Sequence, residues 1–261
     1  MRPISDSAGF TLVEMIIVMA VTAVVGAMVA VFLRGPIESY VAQDRRAGLV
    51  DAADTALRRM QRDIRLALPN SVLVDTIPGG PSLEFLGTRA GGRYRADGSG
   101  DILDFTGADA SFDVLGPGVE MRTGDRIAIY NLGIEGADAW SGVNMTTYTG
   151  GDVPSAKNIA ITPFQFPLAS PGNRFQVVDG PVAYQCNLAA GTLTRFWGYD
   201  PFAGITAATP RALLTTGVSA CTFTYEPGVT ERGGLVSMTL ALSDGGESVR
   251  LYAATQVSNQ P

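Results

Sequence analysis

Side chains that could do chemistry are scarce in this sequence. It contains no histidine, so neither a Ser-His-Asp or Cys-His nucleophile nor a His-ligated zinc can be assembled. Lys157 is the only lysine, which leaves Schiff-base and P-loop chemistry almost without a donor. The two cysteines, Cys186 and Cys221, would close a 36-residue loop if paired. Such a bond contributes about 3–4 kcal/mol by restricting the unfolded chain and forms in an oxidising compartment; two buried free thiols are the alternative. Asp101, Asp104, Asp109 and Asp113 are close enough in sequence for paired-carboxylate catalysis or calcium binding. Their pattern fits neither: Asp97-Gly98-Ser99-Gly100-Asp101 departs from EF-hand spacing, and no Asp-Thr-Gly occurs. Aspartates in glycine-rich loops ordinarily make turns, so no enzyme, metal or cofactor is expected. The Asn144-Met145-Thr146 sequon reads as coincidence. One acid stands apart. Glu14 is the single charge within Phe10–Leu33, FTLVEMIIVMAVTAVVGAMVAVFL.

That segment packs 20 hydrophobic side chains into 24 residues, against 46% for the 261 residues as a whole. As a helix its 24 residues would run about 36 Å, enough to cross a hydrocarbon layer of about 30 Å. A core helix seldom stays apolar on every face for so long. A secretory signal has a shorter apolar run ending in a small-residue cleavage site; here Arg34-Gly35-Pro36 follows instead. The preceding Met1–Gly9 is short, polar and ends in glycine, which suits a cut before the apolar run and its retention as an anchor. Arg2 on one side and Arg34, Arg45 and Arg46 on the other do not fix orientation by charge. If paired, the cysteines favour the oxidising, periplasmic side for the distal part of the chain. A carboxylate inside a bilayer costs about 2.5–3.5 kcal/mol on insertion scales, so Glu14 needs either a partner or a route to the headgroups. The net charge of −6 and pI near 4.7 argue against nucleic acid as a partner.

The junction Ala8-Gly9-Phe10-Thr11-Leu12-Val13-Glu14 resembles the signal of type IV pilins and pseudopilins. The resemblance implies that a prepilin peptidase cuts between Gly9 and Phe10 and that the new terminus, Phe10, is N-methylated. It implies that Glu14, the fifth residue after the cut, meets the positive amino terminus of a neighbouring subunit as filaments assemble. The implied organisation is a leader over 1–9, a transmembrane and assembly helix over 10–33, an amphipathic helix over 34–68 and a β-rich periplasmic domain over 69–261. Implied partners are the peptidase, major and other minor pilins, and an inner-membrane assembly platform.

Small residues Ala23, Gly26, Ala27 and Ala30 allow close helix approach in the anchor. Pro36 should break or kink the helix as it leaves the membrane. An apolar stripe of Ile37, Ala53, Leu57, Met60, Ile64 and Leu68 recurs at helical spacing, and Pro69 should end it. Arg58, Arg62 and Arg65 line the polar face, either solvated or facing acidic surfaces of neighbours. Residues 1–68 hold eight basic and seven acidic side chains, against eleven and eighteen in residues 69–261. Beyond Ser71 short strands follow: Val72–Ile77, Leu83–Leu86, Ile102–Phe105, Arg126–Asn131, Asn158–Thr162, Phe175–Val178, Val182–Cys186, Leu193–Trp197, Thr222–Glu226, Leu235–Leu242 and Val249–Val257. Val178–Pro181 and Ser243–Gly246 read as hairpin turns, and Ala90–Arg93 and Asp97–Gly100 as loops. The expected fold is α+β and pilin-like: a long helix packed on a mainly antiparallel sheet domain.

The segments DRIAIYNLG (Asp125–Gly133), GPVAYQC (Gly180–Cys186), GTLTRFWG (Gly191–Gly198) and SACTFTY (Ser219–Tyr225), with Pro36–Tyr40 and Ala52–Leu68, are similar to MshO-type minor pilins of the MSHA (mannose-sensitive haemagglutinin) pilus. That implies a non-enzymatic minor pilin. A minor pseudopilin of type II secretion and a tip-located adhesive module are the alternatives; the adhesive reading requires Trp140, Tyr148, Trp197 and Tyr199 to form an exposed cluster.

Overall fold

A computed structural model describes residues 10–228 and 233–257; Gly9 and the leader before it lie outside the described residues. The chain divides into two units, residues 1–48 and residues 49–261. In the first unit, helix α1 (Leu12–Ile64) begins at the expected apolar segment, and none of residues 10–48 is buried. The helix runs through Pro36 without interruption, so of the expected break or kink the break does not occur. Proline removes one donor, but its φ is already helical. Gly35 before it has no Cβ to collide with the proline ring.

In the second unit the helix stops at Ile64 rather than at Leu68. A nonlocal pairing takes the backbone groups that would have prolonged it. Leu66 O accepts from Thr88 N at 2.7 Å, and Leu68 N donates to Leu86 O at 2.7 Å. Those acceptors and donors belong to strand β2 (Ser82–Tyr94), which pairs with β1 (Leu73–Val74) and with the long β9 (Arg174–Asn187). The largest sheet has the order β11 (Arg211–Thr216), β10 (Thr192–Trp197), β9, β2, β3 (Asp109–Leu115), β8 (Asn158–Phe164), every pair antiparallel. The outer edge of β9 is shared: its start pairs with β5 (Arg126–Ala128), which carries β6 (Met145–Thr147), and its end pairs with β10. A second sheet is β12 (Val218–Glu226), β13 (Gly234–Asp244), β14 (Glu247–Val257), and β4 (Val119–Met121) pairs with β7 (Val153–Ala156).

Two glycine-bearing segments are not the turns and loops expected of them. Val178–Pro181 lies inside β9, where Gly180 at φ 128° faces Gly87 across a register shift. The glycine makes a bulge that lets one strand serve two neighbours. Gly91 and Gly92 lie inside β2; a Cβ on Gly92 would come within 2.8 Å of the Phe175 ring. By contrast, Gly245 and Gly246, both at positive φ, turn β13 into β14 as a two-residue hairpin, as expected. Ile102–Phe105 is not a strand; the pairing role falls to β3, and β4, β6, β7 and β11 were not anticipated.

The helix buries Ala53, Ala56, Leu57, Met60 and Ile64 against Leu83 and Phe85 of β2, Tyr184 and Cys186 of β9, and Phe223, Val236, Met238 and Leu240 of the second sheet. Alanines at two of these positions let the helix approach both sheets closely, and each large side chain contributes about 1.5–3 kcal/mol. The disulfide Cys186–Cys221 joins β9 to β12, and so the first sheet to the second, inside this core. A separate aromatic core gathers Tyr94, Phe112, Phe166 and Phe175, with Phe112 and Phe175 edge to face at 5.3 Å.

Asp63 in the last turn of α1 fastens the helix to the sheet. Its Oδ2 accepts from Tyr184 OH and from Arg195 Nε, each at 2.7 Å, while Arg59 lies 3.3 Å from Oδ1. Burial first, and then the bond to Asp63, raise the Tyr184 phenol above its ordinary value, so it stays a donor. Asp63→Ala strands Arg195 and a buried hydroxyl, and should cost about 3–5 kcal/mol. Asp54→Ala, which breaks only the exposed pair with Arg58 at 2.6 Å, should cost under about 0.5 kcal/mol. Urea unfolding of the two variants checks this; equal losses would contradict the latch.

Candidate functional site

The start of α1 is built by its own first residues. Thr11 Oγ1 accepts from the backbone N–H of Glu14 at 3.2 Å, and Thr11 O accepts from Met15 N at 3.2 Å. Thr11 is therefore the N-cap and Glu14 the third helical residue, the Thr-x-x-Glu arrangement of a capping box. Phe10 precedes the cap and lines one apolar cleft with Met15, Val18 and Met19, the placement of a hydrophobic staple. Glu14 also sits in the first turn, where a negative charge complements the helix dipole. The signal is present in the sequence, since Thr11 and Glu14 have the box spacing.

Only three side chains in residues 10–33 are polar: Thr11, Glu14 and Thr22. Thr11 is occupied as the cap. Thr22 Oγ1 donates to Val18 O at 2.6 Å and so adds no unsatisfied donor to the apolar surface. The Glu14 carboxylate has no hydrogen bond or ion pair among the described residues. Around it Leu12, Val13, Ile16, Ile17 and Val18 are all exposed, and Phe10 is 81% exposed. The helix is long and apolar enough to cross a membrane, which agrees with membrane anchoring. Such a surface offers apolar contact over most of its area and one open carboxylate.

The other candidate groups resolve into structure. Asp113 Oδ2 accepts from Arg95 Nε and from the backbone of Asp101, and Asn158 bonds both Asp101 and Asp113. Asp104 caps Thr106, and Asp109 accepts from the backbone of Asp104. These aspartates order loops, and among the described residues no three acidic or cysteine side chains converge as a metal needs. Asn144 is 1% exposed and bonded to Asn131 at 3.2 Å, so the sequon is enclosed. The four aromatics form no exposed platform. Tyr148 and Tyr199 are buried; Trp140 and Trp197 are half-buried, the first donating to Ser71 O and the second lying under Arg195.

A family profile described as the prokaryotic N-terminal methylation motif matches residues 4–30. No curated protein and no solved structure matches the chain. The chain thus carries a type IV pilin-like amino-terminal signal, which points to a structural rather than a catalytic protein. The signal implies processing by a prepilin peptidase and handling by a pilus-type assembly machinery in general.

The loop acids give a pH dependence. Hydrogen bonds from Asn158 and the Asp101 backbone hold Asp113 below the ordinary carboxylate value, and bonds from Thr123 do the same for Asp152. Groups depressed in the fold stabilise it above the unfolded carboxylate range and lose that contribution as pH falls through it. Asp125, raised chiefly by burial, acts in the opposite sense. Thermal midpoints should therefore fall on acidification below about pH 4–5, and Asp113→Asn should flatten that fall. A variant whose midpoint tracks pH as the parent does would contradict this assignment.

Proposed function

We propose that this chain is a minor pilin of a type IV filament system, cut by prepilin peptidase between Gly9 and Phe10, methylated on Phe10 and non-enzymatic. The observation that carries the reading is Glu14: a carboxylate without a partner among the described residues, inside an otherwise satisfied apolar helix, within the matched motif. The cation that suits it is the amino terminus of an adjacent subunit's Phe10. Exposed residues 10–33 are the inner-membrane anchor before assembly and the packing surface afterwards, with residues 69–261 on the periplasmic side. The disulfide favours that side, because it requires oxidation. The N-cap supports the position of the cut, since Thr11 is the second residue after it and the helix start survives removal of the leader.

Within this class we place the chain with MshO-type minor pilins of MSHA systems. Support for that choice is the similarity of Asp125–Gly133, Gly180–Cys186, Gly191–Gly198 and Ser219–Tyr225. A minor pseudopilin of type II secretion shares the amino-terminal features. An adhesive tip role loses its main support with the enclosed tyrosines.

Amino-terminal sequencing of the protein purified from cell membranes tests this reading. The mature chain should begin at N-methylated Phe10. A chain beginning beyond Leu33 would contradict it, because the anchor would have been discarded as a secretory signal.

A further inference from the structure

Strand β14 ends its sheet, and its outer edge has no strand beside it among the described residues. The pairing with β13 runs over all eleven residues without a register shift, so no bulge blunts the edge, and neither does a proline. Ala254 O points outward, because it accepts from Gln61 Nε2 of α1 at 3.0 Å. Backbone groups alternate sides along a strand, so the N–H and C=O of Tyr252 and Arg250 point outward as well. Neither has a backbone partner on that side among the described residues. Gln61 closes the edge at Ala254; from Ala253 back to Ser248 it is open.

Beside this edge lies a cleft of about 480 Å³ lined by Asp54, Leu57, Arg58 and Gln61 of the helix and by Leu251 to Ala254 of the strand. Val249, Leu251 and Ala253 face the core yet are only partly buried, while Val236, Met238 and Leu240 of the central strand are enclosed. The core is thus incomplete along β14. The flank is basic. Arg58, Arg62 and Arg65 share one helix face and are exposed, as is Arg250 on the strand. Asp54 is already bonded to Arg58, and Asp63 is turned inward to Tyr184 and Arg195. Tyr252, 66% exposed, lies on the other face of the sheet, with its hydroxyl 3.0 Å from Ser237 Oγ of β13.

We propose that the open edge of β14 and the cleft beside it receive an extended segment of a partner protein, acidic on one side and apolar on the other, by strand addition. Paired N–H and C=O groups of Arg250 and Tyr252 supply the backbone bonds. Alternate apolar side chains complete the core over Leu57, Leu251 and Ala253, and the intervening acids, on the sheet face away from the helix, meet Arg250. The open stretch from Ser248 to Ala253 spans about 20 Å, an ordinary strand length. This surface stands apart from the amino-terminal signal, so its test does not depend on how the chain is processed.

The test uses the full chain in detergent micelles and two synthetic peptides of about seven residues, one alternating valine with aspartate and one alternating valine with lysine. Binding is read by fluorescence anisotropy, and amide hydrogen exchange is followed at Arg250 and Tyr252. The acidic peptide should bind, slow exchange of these two amides by about tenfold, and outcompete the basic one. Tyr252→Pro removes an outward donor that β13 does not use and should abolish binding. Arg250→Glu should weaken it by about tenfold. Circular dichroism and retention of the disulfide check both folds. Equal binding of the two peptides, binding without amide protection, or full binding by a folded Tyr252→Pro variant would overturn the proposal.

Discussion

The core shared by the two sheets depends on one stripe of the helix: Ala53, Ala56, Leu57, Met60 and Ile64, which is their common surface. Within this core neither sheet closes alone, while the aromatic core around Phe112 and Phe175 forms apart from the helix. The first offers Leu83, Phe85 and Tyr184, the second Phe223, Met238 and Leu240, and the helix covers both. Two further bonds fix the arrangement. The disulfide holds β9 to β12, and Asp63 holds the last helical turn to Tyr184 and Arg195. Buried charge of this kind gives little net stability compared with apolar packing. It does set the register, because sliding the helix by a turn would strand Arg195.

The same helix, in residues 10–33, has no polar face and no burial. Its polar atoms are closed off locally, by capping at Thr11 and by back-bonding at Thr22, with Glu14 left over. An apolar surface that keeps one open carboxylate is poorly suited to water and only partly suited to lipid. It fits a packing environment that supplies a cation. On the proposed pilin reading, membrane anchor and assembly surface are two states of one segment.

Much of this was legible in the residues. The anchor, the helical stripe and the last hairpin follow from local periodicity and turn chemistry, and the α+β layout came from their order. What was missed is nonlocal. The helix stops at Ile64 because β2 takes the backbone of Leu66 and Leu68, which no local pattern announces. Gly92 and Gly180 look like turn residues; one makes room for the Phe175 ring and the other makes a bulge. Strand β7 contains Pro154 and β11 is a short edge, so neither carries strong alternation. Pro36 was over-weighted, since a preceding glycine removes much of its clash. At the signal, Phe10 and Glu14 were read from type and spacing, whereas Thr11 was overlooked although its spacing to Glu14 held the cap.

We propose that Glu14 takes a positive partner from outside its own chain. The most direct measurement is the partition of Glu14→Gln between sheared filaments and the membrane fraction, with processing scored in the same cells. Gln keeps the size and the helix start and removes the charge. Normal cutting and membrane insertion are expected, with a filament share reduced about tenfold or more through the loss of one partly buried ion pair. An unchanged filament share would contradict it.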